Sequence, residues 1–102
     1  MIHHMVLLRI RSDVPPRTVA SVFGAIDGLR TKIPGILSFA WGPYSSPEGL
    51  QRGFTHAFHM TFADAKARDV YLPHPEHERV KGLVLGVLAG GIDGVLAFDF
   101  EA

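Results

Sequence analysis

Gly53-Phe54-Thr55-His56-Ala57-Phe58-His59-Met60-Thr61-Phe62 alternates without a break. Phe54, His56, Phe58, Met60 and Phe62 fall on one face, and Thr55, Ala57, His59 and Thr61 on the other. A period of two is the signature of a strand with unlike faces. Upstream, Gly42-Pro43 and Ser45-Ser46-Pro47-Glu48-Gly49 make a polar loop. Before that loop, Ile36 to about Tyr44 reads as another strand, with Leu37, Phe39 and Trp41 on one face. Downstream, Asp64 is placed to cap a short helix carrying Tyr71. A second helical piece begins at Pro75, with Val80, Leu83, Val84, Val87 and Leu88 at helical spacing, and Gly90-Gly91 ends it. Ile92 to Phe100 is a last strand, with Leu96, Phe98 and Phe100 on one face and Val95, Ala97 and Asp99 on the other.

The N-terminal part supplies the remaining pair of elements. Ile2 to Arg11 reads as a strand with Ile2, His4, Val6, Leu8 and Ile10 together. A helix opens at Asp13 or Pro15-Pro16 and runs to about Lys32, where Ile33-Pro34-Gly35 stops it. Val19, Val22, Phe23, Ile26, Leu29, Arg30 and Ile33 have helical spacing and are expected to give it one buried stripe. The order is strand, helix, two strands, helix, strand: the ferredoxin-like α+β arrangement, as a single domain over 1–102. Right-handed crossovers set the first and third strands side by side, expected to run parallel, at the centre of an antiparallel-edged sheet. Both helices then lie on one face. The other face, expected to carry Met5, Leu7, Ala57, Val95 and Ala97, is apolar enough to mark an interface, and a homodimer covers it economically.

Composition excludes several classes of function. Hydrophobic content of 47% against 20% charged residues indicates a globular chain. Ten basic residues balance ten acidic ones with no charge run, so a nonspecific grip on nucleic acid is not expected. Without cysteine there is no disulfide, thiolate metal site or cysteine nucleophile, which suits the cytoplasm. The N-terminal apolar run is too short and interrupted for a signal peptide or membrane span.

Chemistry concentrates in Tyr71-Leu72-Pro73-His74-Pro75-Glu76-His77. The prolines stiffen the backbone and disfavour helix at Leu72 and His74. A helix therefore ends near Tyr71, and a new one starts with His74 as cap and Pro75 at its first position, leaving His77 in the first turn. The plain reading is a proline-rich helix break. The functional reading is a phenol and an imidazole held at a helix junction. His4 and His56 sit near the starts of their strands, on the helix-facing side. With those strands parallel, His4, His56, Tyr71 and His77 converge on one end of the apolar layer, walled by Val6, Leu8, Phe23, Phe58, Met60 and Leu83. A centre of His4, His56 and His77 holding a metal is the rival arrangement, but no carboxylate or cysteine joins it.

His4, Ile33-Pro34-Gly35, Trp41-Gly42, Gly53-Phe54-Thr55-His56, Phe62, the stretch from Tyr71 to His77, and Phe98-Asp99-Phe100 together resemble the Dabb family of stress-responsive dimeric α/β-barrel domains. The resemblance spans essentially the whole chain. It implies a ferredoxin-like protomer, a homodimer whose two sheets form a barrel, and a pocket between sheet and helices. The family includes a plant polyketide cyclase in which a tyrosine and the second histidine of an HPxH stretch promote aldol-type ring closure without a cofactor. The resemblance maps those roles onto Tyr71 and His77, with His4 and His56 as pocket partners. Such chemistry needs a base for an α-proton and a donor for the enolate oxygen. A neutral His77 supplies the first and the Tyr71 hydroxyl the second. The expected ligand is a small apolar carbonyl compound, and neither metal nor cofactor is needed. A non-catalytic stress-response or accessory dimer and a cofactor-free oxygenase of the related barrels are the alternatives.

Overall fold

The computed structural model describes residues 1–102. The strands are β1 (Ile2–Leu8), β2 (Ile36–Pro43), β3 (His56–Phe62) and β4 (Val95–Glu101); the helices are α1 (Pro16–Asp27), α2 (Ala65–Tyr71) and α3 (Pro75–Leu85). They form one four-stranded sheet in the order β2-β3-β1-β4 with every neighbouring pair antiparallel. This is the expected ferredoxin-like α+β fold. No helix is long and apolar enough to cross a membrane.

Local sequence explains the element boundaries. Pro15 and Pro16 open α1 without a side-chain cap, and its Val19, Val22, Phe23 and Ile26 are buried against the sheet. A short 3-10 turn over Gly28–Thr31 follows. Gly35 then turns the chain at φ +96, where a Cβ would lie 2.6 Å from the Ala67 Cβ. Only glycine permits both that left-handed backbone and that close approach to α2. The core comprises 17 buried apolar side chains between helices and sheet, with Phe23, Met60, Phe62 and Leu8 completely enclosed.

Four features differ from the expectations drawn from sequence. β1 and β3 are neighbours but antiparallel, with Ile2 opposite Phe62 and Leu8 opposite His56. The crossover through α1 returns β2 in the same direction as β1, and the loop over 44–55 then reverses the chain, so β3 runs against both. In β4, Ala97 pairs with Val6 and Asp99 with His4, so Val95, Ala97 and Asp99 face the helices. The open face instead carries Leu96, Phe98 and Phe100 beside Met5, all well exposed. A bulge between Ile36 and Ser38 makes Leu37 the extra residue of β2, and it is exposed while Ile36 packs on the core. Finally, α3 stops at Leu85, capped by Gly86, and Val87 and Leu88 leave it to join the core, Leu88 bridging to Ile10.

Candidate active site

Tyr71 is the last residue of α2, a helix anchored by the Asp64 carboxylate, which accepts from the Ala67 N–H at 2.8 Å. Its ring is 1% exposed, 5.0 Å from the ring of Phe62 and 4.2 Å from that of His77 (centroid to centroid). The chain breaks at Pro73 as expected. His74 is extended (φ −63, ψ 136), Pro75 takes the first position of α3, and the His74 Nδ1 accepts from the Glu76 N–H at 3.1 Å. This cap is what presents His77 from the first turn of α3 to Tyr71.

The tautomer of His77 follows from its partner. Its Nδ1 lies 2.8 Å from the Leu72 carbonyl oxygen, which can only accept, so Nδ1 carries the proton and donates. The neutral ring therefore leaves its Nε2 lone pair free. Burial pulls the His77 pKa below the usual imidazole value; the Leu72 carbonyl and Glu78 oppose that shift, while Lys81 and His4 reinforce it. Burial also pushes the Tyr71 phenol well above its ordinary range. The Tyr71 hydroxyl makes no hydrogen bond to another protein group. Nor is it sealed in, because Gln51 Oε1 is the one buried side-chain polar atom without a partner.

His4 completes the cluster from β1. It is 7% exposed, its ring stands edge-on to Tyr71 at 6.2 Å, and its Nδ1 lies 2.6 Å from Asp99 Oδ1 on the neighbouring strand. The other carboxylate oxygen accepts from Arg68 at 3.4 Å. The carboxylate thus orients the His4 ring, leaving its Nε2 unengaged by the protein.

These three side chains line a cavity of ≈ 200 Å³ whose 15 lining residues include 12 hydrophobic ones. Val6, Leu8 and Phe58 wall it, joined by Ile26, Val80, Val84, Leu85, Val95 and Ala97. Phe23 and Met60 are instead sealed in the core, and Leu83 points outward, 47% exposed. His56 does not join. Antiparallel pairing places it opposite Leu8, four positions along β3 from the partner of His4, roughly 13 Å away at about 3.3 Å per residue. There its Nδ1 contacts Thr55 Oγ1 at 2.8 Å, near Phe23 and Trp41, in a separate cavity of ≈ 460 Å³. Burial lowers its pKa too. The separation also means that His4, His56 and His77 do not assemble as one ligand set, and no cluster of three potential ligands occurs.

Asp99 and Arg68 were not singled out by sequence reasoning. The usable signal was the acidic residue between Phe98 and Phe100, an expensive choice unless it faces a partner. Alternation sets Asp99 with Val95 and Ala97, on the side of the sheet expected to be open, and the register against β1 reverses that.

Comparison with known proteins gives a consistent picture. The model of the stress responsive A/B barrel domain (Dabb) matches residues 2–102. A stress-response A/B barrel domain-containing protein of Arabidopsis thaliana is 30% identical over 98 residues, spanning 95% of this chain and 82% of that protein. Olivetolic acid cyclase of Cannabis sativa is 22% identical over 76 residues, 74% of this chain and 75% of the cyclase. The solved structure of a dimeric ferredoxin-like protein of unknown function from Jannaschia sp. superposes with a TM-score of 0.88 at 30% identity, covering 99% of this chain and 98% of that one.

Proposed function

The chain belongs to the Dabb family of stress responsive A/B barrel domains, and from that premise we propose that it is a homodimeric, cofactor-independent catalyst acting in the cytoplasm on a small apolar carbonyl compound of polyketide type. The observation that carries the reading is the pairing of a free His77 Nε2 with an unengaged Tyr71 hydroxyl beside an apolar cavity. His77 is the base. Its Nδ1–H is held by the Leu72 carbonyl, and Nε2 removes a proton from a carbon between two carbonyls. Tyr71, protonated at any working pH, donates to the oxygen on which the negative charge develops. The carbanion closes on a second carbonyl of the same chain, and the resulting alkoxide takes the proton back from His77. His4, whose Nδ1–H is held by Asp99, accepts at Nε2 from an enol or hydroxyl O–H of the substrate.

The cavity volume of ≈ 200 Å³ lies below the ~300–1,000 Å³ common for drug-sized ligands, which favours a compact substrate with an apolar tail. The similarity to olivetolic acid cyclase supports carbonyl cyclisation as the reaction class. The dimeric relative and the exposed Leu96, Phe98 and Phe100 support assembly through the open sheet face. The test is to incubate the protein with short linear poly-β-ketones bearing alkyl tails and to follow ring closure by mass spectrometry and ultraviolet absorbance. Protein-dependent closure that disappears in Tyr71→Phe and His77→Gln is expected. Closure at the uncatalysed rate with every chain length would overturn the catalytic reading.

A further inference from the structure

The open sheet face holds one polar feature in an apolar field. His3 on β1 and His59 on β3 approach with Nδ1 of the first 3.0 Å from Nε2 of the second. Their rings are parallel within 6°, and the ring of Phe100 stacks on the other side of His3 at 4.8 Å. A nitrogen pair at that distance needs one proton between them, so one ring donates and the other accepts. The surrounding side chains cannot neutralise a charge there. On β1 the flanking residue of this face is Met5; on β4 they are Phe98 and Phe100, while Asp99 and Glu101 alternate to the helix side. On β3 they are Ala57 and Thr61, and on β2 Ser38 and Ala40. The nearest charges by sequence are the chain ends, where the Met1 ammonium contacts the Ala102 carbonyl oxygen.

We propose that His3 and His59 make the homodimer acid-sensitive: the closely paired imidazoles on the apolar sheet face are tolerated in the dimer when uncharged and drive it apart when both are protonated. The inference rests on the homodimer reading given above. The pair lies within each protomer, so a second proton meets a like charge about 3 Å away in either state. Water screens that repulsion on an open face and is excluded from a closed one, so the dimer binds fewer protons. Mass action then ties dissociation to pH. If each protomer takes up one extra proton on separating, two protons enter per dimer, and Kd rises by up to about a hundredfold per pH unit over the range in which they bind. The sign is fixed: neutral pH favours the dimer and mild acid the monomer. The pair lies on the face opposite the Tyr71 cavity, so it makes no contact with the candidate catalytic groups.

The experiment is sedimentation equilibrium of the full chain at pH 7.5 and 5.5, with circular dichroism at both. The expected result is a dimer at pH 7.5, a Kd at least tenfold weaker at pH 5.5, and a native spectrum throughout. His3→Gln/His59→Gln retains hydrogen bonding without a titrating group and is expected to show the same Kd at both pH values. A monomer at pH 7.5 would overturn the underlying homodimer reading. An unchanged dimer at pH 5.5 would overturn the switch and leave that reading intact. Should the double variant misfold, His59→Gln alone leaves no second imidazole to repel and is expected to flatten the slope of log Kd against pH; a slope equal to wild type overturns the assignment. Loss of the native spectrum at pH 5.5 would trace dissociation to unfolding and also overturn it.

Discussion

Tyr71 and His77 are separated in role by how each polar atom is used. The Tyr71 hydroxyl has no protein partner to lose. Tyr71→Phe is therefore expected to change stability by no more than ~1 kcal/mol in a denaturant melt, while removing a donor worth on the order of 10²–10³ in turnover. A drop in stability above that range would reassign the phenol to a structural role. His77 carries a pH signature. Burial lowers its pKa, so its free-base form persists into more acid solution than a free imidazole would. The acid limb of a kcat/KM profile is expected below the ordinary value of ~6.5. Glu78 raises the His77 pKa, so Glu78→Gln is expected to move that limb to still lower pH. The same shift acts on folding. His56 and His77 both have depressed pKa values in the fold. Their neutral forms are favoured there, so the stability they lend is complete above their unfolded value near ~6.5 and lost as pH falls through the folded values. Melts of His56→Gln/His77→Gln are expected to show a weaker loss of stability between pH 7 and 5 than wild type.

At the scale of elements, the helix break and the Gly35 turn position the site. His74→Ala removes the acceptor for the Glu76 N–H and is expected to lower stability by about 0.5–2 kcal/mol, read from the melting midpoint. Gly35→Ala meets both a left-handed backbone and a contact of 2.6 Å with Ala67. It is expected to cost about 1–3 kcal/mol and to weaken the cavity's grip on ligand, since α2 carrying Tyr71 must shift. These local devices were legible in the residues: proline and histidine chemistry marks the break, and alternation marks β3. Element order sufficed for the sheet neighbours as well. What the residues alone left unread depends on pairing. His56 has the same strand parity as His4 and shares its face, but which end of the sheet it occupies follows from strand direction, and the antiparallel run of β1 and β3 sends it away. Either face of β4 is apolar enough for burial, so only its register against β1 brings Asp99 to His4. The end of α3 was misread because Val87 and Leu88 keep helical spacing while packing as core residues beyond Gly86.

On the scale of the whole molecule, a sheet covered by helices on one side has an unequal pair of faces. The helix side buries Val6, Leu8, Phe58, Met60 and Phe62, while across the sheet Met5, Leu96, Phe98 and Phe100 remain open to solvent. Phe98 is 61% exposed, the most open aromatic ring on this face. A contiguous apolar face of this kind is the signature of an interface rather than of scattered surface residues. Phe98→Asp leaves the isolated protomer little changed, because the position is already wet, and its unfolding midpoint is expected to move by no more than ~0.5 kcal/mol in equivalent stability. Two such carboxylates in a homodimer would be buried without counter-charges, and association is expected to weaken by at least ~2 kcal/mol, about thirtyfold in Kd. Val70, 47% exposed on α2, makes the matched control. Val70→Asp adds the same charge away from the sheet face and is expected to leave the dimer unchanged. Light scattering across a dilution series distinguishes the outcomes. Equal effects of the two substitutions would point to charge alone and remove the sheet face as the interface, while a monomeric Phe98→Asp with a native spectrum beside a dimeric Val70→Asp would locate the contact on the strands.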